Sequence, residues 1–227
     1  MIERRLGVFG AAAAVLMLVA AGCSNNMEKG SSTEQASTTS QGATNETQAQ
    51  APASGTPAAD RPASGGSTVA MKGLQWDIPE GLVGEQPANT MRVAQYRIPA
   101  GKEGMKDGEL AVFYFGAGSG GGTRANLERW AGQFKQNDGS DPMSKAKTET
   151  LASDGGLPVT IIALPGRYES SGMGGGPSYD EPDWKLFGAV VEGAGGPWFF
   201  KAVGPEPLID EWQPRLLQML KGLRAQS

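Results

Sequence analysis

Residues 24–68, SNNMEKGSSTEQASTTSQGATNETQAQAPASGTPAADRPASGGST, contain no aromatic residue, and Met27 is their only large apolar one. A segment built from Ser, Thr, Gln, Ala, Gly and Pro cannot bury enough surface to offset the entropy lost on ordering it. It is expected to act as a flexible tether, and random-coil scaling gives it a reach of roughly 35–40 Å. Folding is therefore left to the rest of the 227-residue chain, where all five tryptophans lie between positions 76 and 212. That remainder is long enough for one domain with a proper core. The expected division is a leader over 1–22, a tether over 23–68 and a globular domain over 69–227.

The leader opens with MIERRLG, which places Arg4 and Arg5 before an unbroken apolar run from Leu6 to Gly22. A basic start followed by a short apolar run is the pattern of an export signal, and the run is short for a membrane span. It ends in VAAGC, which resembles the lipobox of bacterial lipoproteins, with Ala20 where that family most often has Leu. The resemblance implies cleavage before Cys23, a diacylglycerol on its sulfur and acylation of the new amine. Ala20-Ala21-Gly22 also suits ordinary signal cleavage, which would leave one unpaired thiol in an oxidising compartment. Ser24 stands where retention in the inner membrane of many two-membrane bacteria wants Asp. By that resemblance the address is the outer membrane facing the periplasm, and several acyl chains would hold the chain stably on a bilayer.

The chain has no histidine and one cysteine. Lacking histidine, it lacks the usual proton shuttle of general acid–base and triad chemistry, and the Cys/His zinc sites as well. Its 24 acidic and 20 basic side chains provide no basic stripe for nucleic acid. No cofactor is expected.

Within the domain, LQWDIP reads as a short strand ending at Pro79. TMRVAQYRIP alternates, with Ala94, Tyr96 and Ile98 on one face. ELAVFYF is apolar on both faces, with Ala111, Phe113 and Phe115 on one side and Leu110, Val112 and Tyr114 on the other. Thr123 is placed to cap a helix carrying Leu127, Trp130, Ala131 and Phe134 on one stripe. KTETLAS with LPVTIIALPGRYE, and WKLFGAVVE with PWFFKAVG, read as two hairpins around glycine turns. Ile209, Trp212, Leu216, Leu220 and Leu223 form the stripe of a C-terminal helix, in which Pro214 should mark a kink or the first turn of the main part. The sum is an α+β domain of about seven largely antiparallel strands, with a mid-chain and a C-terminal helix.

Gly116, Gly118 and Gly121 fit the G-x-G-x-x-G spacing of a dinucleotide site. That site requires a parallel βαβ unit, whereas here a turn and a hairpin follow the helix. The glycines are expected to serve the sharp passage from strand to helix. Ser144 and Lys147 match the spacing of a Ser–Lys nucleophile pair by chance, beside a turn and without companion motifs. NDGSD (137–141) and YDEPD (179–183) collect oxygens without the spacing of a calcium loop, so no metal site is assigned. The stretch from Glu169 to Asp183, ESSGMGGGPSYDEPD, shows no periodic pattern and is expected as a long loop, either a mobile insertion or a partner contact. Met173, Tyr179, Asp180 and Asp183 are its candidate contact residues. A polar cleft between the Gly116–Gly122 turn and this loop would favour catalysis, and a flat apolar patch there would favour a partner.

Trp76, Pro79 and Gly81 in LQWDIPEGL, the long hairpins and the closing GPWFFKAVGPEPLIDEWQPRLLQMLKGLR resemble the PsbP/DcrB-like domains over about residues 70–225. They are also similar to a group of uncharacterised exported bacterial lipoproteins. The resemblance implies an antiparallel sheet flanked by helices and a binding or accessory role. Metal binding attributed to some PsbP-type proteins uses histidine, so none is carried over. The expectation is a non-catalytic, lipid-anchored envelope protein whose domain binds a partner or assists assembly. The alternatives are a glycan-hydrolase-like enzyme using two carboxylates roughly 5–10 Å apart, and a solute-binding lipoprotein with an apolar pocket.

Overall fold

The computed structural model of the chain describes residues 62–171, 178–193 and 195–226. In chain order the strands and helices are β1 (Thr68–Met71), β2 (Leu74–Asp77), β3 (Val83–Glu85), β4 (Arg92–Ile98), β5 (Gly108–Tyr114), α1 (Thr123–Ala131), β6 (Phe134–Lys135), α2 (Pro142–Lys145), β7 (Lys147–Ala152), β8 (Pro158–Ser171), β9 (Ser178–Gly193), β10 (Gly196–Pro205), α3 (Glu206–Lys221) and β11 (Arg224–Ala225). The fold is α+β and every strand pair is antiparallel. A three-stranded sheet has the order β1-β2-β11, and an eight-stranded sheet has the order β3-β4-β5-β10-β9-β8-β6, with β7 also paired to β8.

The larger sheet carries a core on each face. On the face toward α3, Trp76 packs edge-on against Trp198 at 5.8 Å and Phe200 at 5.7 Å, and its indole N–H donates to the Tyr96 hydroxyl at 3.2 Å. Leu208, Ile209, Trp212, Leu216 and Leu220 of α3 complete this core. Burying each such side chain contributes about 1.5–3 kcal/mol. Burial pushes the Tyr96 phenol up to about 12, against the pull of the bond from Trp76. On the other face Leu127 and Trp130 of α1 pack with Phe134, Ile162, Leu164, Leu186, Val190 and Phe199. Gly188 makes room there, since a Cβ on it would lie 2.8 Å from the Trp130 ring.

Several elements depart from the sequence reading. The described residues hold eleven strands against about seven expected: β1 begins at the tether boundary and has only four residues, and β3, β6 and β11, at two or three residues, are too short to show a period. Gly122, not Thr123, is the N-cap of α1, and the Thr123 hydroxyl donates to Glu192 at 3.1 Å. Phe134 is buried with the α1 stripe but belongs to β6. Pro214 lies inside a continuous α3, with Pro207 in its first turn. Proline in a helix interior costs about 3 kcal/mol. Here apolar burial on both sides of it, by Leu208 and Ile209 before and Leu216 and Leu220 after, offsets that cost. Ahead of β1, Gly65 N–H donates to the Leu82 carbonyl and Gly66 N–H to that of Ile78, so the chain is tied to the domain before Thr68.

Candidate functional site

Strands β8 and β9 outrun the sheet. The last residue of β10, Pro205, pairs with Trp184, and the two long strands continue beyond it as a ribbon reaching Ser171 and Ser178. The ladder slips between Gly166 and Tyr168. Gly166 sits at φ 152°, and a Cβ there would lie 2.8 Å from the Gln136 amide and the Lys135 carbonyl. Only glycine lets β8 pass this point while Gln136 donates to the Pro165 carbonyl at 2.9 Å. Beyond the bulge Tyr168, Tyr179 and Trp184 form a stack with centroids 5.3–5.7 Å apart, and Phe134 stands 5.0 Å from Tyr168. The expected loop over 169–183 is therefore corrected. Glu169–Ser171 and Ser178–Asp183 are strand, held by cross-strand pairs and this aromatic stack rather than by an apolar period.

Under the ribbon lies a polar cluster. Lys201 of β10 shares a face with Phe199 and Val203, and its ammonium donates to Gln133 Oε1 at 2.5 Å and to the Tyr168 hydroxyl at 3.0 Å. Part of the residue keeps surface while the amine end is enclosed. Burial brings its pKa down to about 7, opposed by the charge of Glu109 and assisted by Arg92 and Arg129. Arg92 of β4 pairs with Glu109 of β5 at 2.8 Å and donates to Gln95 at 2.7 Å, with its guanidinium 5.9 Å from the Phe113 ring. Burial and then the Glu109 charge raise the Tyr179 phenol, and burial raises that of Tyr168.

The rim is a belt of ion pairs. Lys106 holds Glu181 at 2.6 Å, Arg167 holds Asp180 at 2.5 Å, and Arg97 holds both Asp107 at 3.0 Å and Glu85 at 3.3 Å. Lys201 can hold or release a proton near neutrality, and two of its three donors are already taken by the protein's own groups.

Of the sequence-derived site residues, Cys23 and Met173 lie outside the described residues. Tyr179 joins the cluster. Asp180 faces solvent with Arg167, and Asp183, exposed at φ 54°, sits where the ribbon leaves the sheet. Lys201, Arg92, Glu109 and Tyr168 were not singled out by the sequence. A signal for Lys201 existed, because a lysine between Phe200 and Ala202 in a strand apolar on both faces has nowhere exposed to point.

Gly116, Gly118, Gly120 and Gly121 all have positive φ, between 72° and 86°. They carry the chain from β5 to α1, after which β6 pairs antiparallel to β8, so the parallel βαβ unit of a dinucleotide site does not follow. The turn abuts Gly196, where a Cβ would lie 2.6 Å from the Gly116 carbonyl carbon, and Gly196 pairs with Gly193 at the end of β9 remote from the ribbon tip. Among the described residues the turn and the 169–183 segment thus lie toward opposite ends of β9, and no cleft joins them. The Ser144 hydroxyl donates to the Asp141 carbonyl at 2.6 Å, and Asp138 pairs with Lys145 at 2.9 Å. An open groove of about 1080 Å³ runs between β2 and the end of α3, lined by groups of both signs including Asp77, Glu80, Arg215 and Lys221.

No known protein family matches the sequence, and no curated protein does. Solved structures similar to it include cyanobacterial PsbP (CyanoP) from Synechocystis sp. PCC 6803, at 15% identity and a TM-score of 0.43, covering 70% of this chain and 92% of that one. A protein of unknown function from Pseudomonas aeruginosa is also similar, at 9% identity and a TM-score of 0.39, covering 68% and 93% respectively. Likenesses of this size assign no function.

Proposed function

We propose that the chain is a lipid-anchored protein of the bacterial cell envelope, held at the outer membrane facing the periplasm, whose folded domain binds or helps assemble a protein partner without chemistry of its own. The VAAGC sequence and the tether after it support the anchoring. The observation that carries the non-catalytic reading is the pairing of each carboxylate around the Lys201 cluster. Glu109, Glu181, Asp180 and Asp107 are each engaged by a cation of the protein itself at 2.5–3.0 Å, which leaves none of these four as a free partner in the carboxylate pair that a two-carboxylate hydrolase requires.

The test is mass spectrometry of the full chain purified from a bacterial host, followed by cross-linked pull-down from native membranes. The expected mature N-terminus is a Cys23 carrying diacylglycerol and an acylated amine, and Cys23→Ser should leave the membrane fraction. A mature N-terminus with a free thiol overturns the anchoring. Membranes that return no specific partner at any salt overturn the binding role.

A further inference from the structure

Edges decide what a β-sheet can pair with, and the edges of the larger sheet are treated unequally. Strand β3 is three residues long and shielded by the chain before it. Gly84 N–H donates to Ser64 Oγ at 2.9 Å, and a Cβ on Gly84 would lie 2.2 Å from the Ala63 carbonyl oxygen. Strand β6 has two residues. Strand β7, KTETLA, has six, all paired with β8 in unbroken register, without Pro, Gly or bulge, and only Leu151 is partly buried.

The phase of the ladder fixes which groups of β7 face outward. Ser153 N–H donates to the Leu157 carbonyl at 2.9 Å, which makes that pair hydrogen-bonded. Antiparallel alternation then bonds Leu151, Glu149 and Lys147 to β8. The amides and carbonyls of Thr148, Thr150 and Ala152 point the other way, and among the described residues none of them meets a partner.

We infer that β7 is an interface between two copies of this chain, which pair antiparallel about a twofold axis at Thr148 and continue the larger sheet from one copy into the other. Charge selects both partner and register. In this pairing Lys147 stands opposite Glu149 of the second copy, and Glu149 opposite its Lys147. These are the closer, non-hydrogen-bonded positions, where opposing side chains interact best. Shifting the axis by one residue sets Glu149 against Glu149 and is disfavoured. In this register the strand is complementary to itself in charge, as a twofold interface requires. The inference does not depend on the anchoring at Cys23.

The experiment is sedimentation equilibrium of the full chain in detergent, compared with Lys147→Glu, Glu149→Lys and the double exchange. The wild type should dimerise, each single exchange should weaken the dimer about tenfold or more, and the double exchange should restore it. Both positions are exposed, so folding should survive, as circular dichroism of each variant verifies. A monomer at every concentration overturns the inference and leaves the edge to a strand of a different protein. A dimer unmoved by the single exchanges, or not restored by the double one, also overturns it.

Discussion

The two faces of the larger sheet are made by the same strands and solve opposite problems. On β10, Trp198, Phe200 and Ala202 look toward α3 into an apolar core, while Phe199, Lys201 and Val203 look toward α1 and the ribbon. The first face closes by packing alone, with one buried hydroxyl satisfied by the Trp76 indole. The second admits an amine because Gln133 and Tyr168 reach in from elements distant in sequence, and it holds an Arg–Glu pair whose arginine also donates to Gln95. Alternation decides which side chains share a face, and the elements laid over that face decide what it can hold.

The largest effect should come from opening the apolar face. Phe200, 2% exposed, replaced by Ala should cost about 3–5 kcal/mol in denaturant unfolding, and a loss below about 1 kcal/mol would break the contrast. The polar face should instead reveal itself through pH. Lys201 loses its proton at about 7 when folded and near its ordinary value of 10.5 when unfolded. The unfolded state therefore binds more protons between those values, and stability rises with pH across that window, while below pH 7 the full cost of the buried charge is present. Relative to Lys201→Met, wild-type unfolding free energy should climb from pH 7 to about 9.5, and a constant difference would refute the assignment. Above pH 10 both proteins should lose stability, because Tyr96, pushed up to about 12, stays neutral only when folded.

The smallest effect belongs to the rim. The backbone N–H of Ala100, and then Arg97, hold Asp107 below its ordinary value of 3.8. Its contribution is present at neutral pH and lost as pH falls through that lowered value. Asp107→Asn should cost under about 1 kcal/mol at pH 7 and flatten the acid limb of the stability curve.

Much of the first face was legible in the sequence. The strand at LQWDIP, the alternation of Tyr96 and Ile98, both hairpins and the α3 stripe follow from periods of two and 3.6 that burial imposes. The second face was not legible. Tyr168 and Tyr179 sit beyond a bulge that breaks the period, and Lys201 meets Gln133 across 68 positions of sequence. Spacing reports neighbours within an element, whereas this cluster exists only through the bend at Gly166. The glycine run before α1 was read correctly as a passage from strand to helix. Whether it meets the 169–183 segment was open in the sequence, and the described parts of the two lie toward opposite ends of β9.

The strap from Pro62 to Ser67 has a mechanical consequence. It enters along the β3 border, so tension on the upstream chain would be delivered to the Gly65–Leu82 and Gly84–Ser64 bonds before any other. A load applied there would unzip one margin bond by bond, sparing the long central strands. The domain would yield at its periphery while its interior stayed intact.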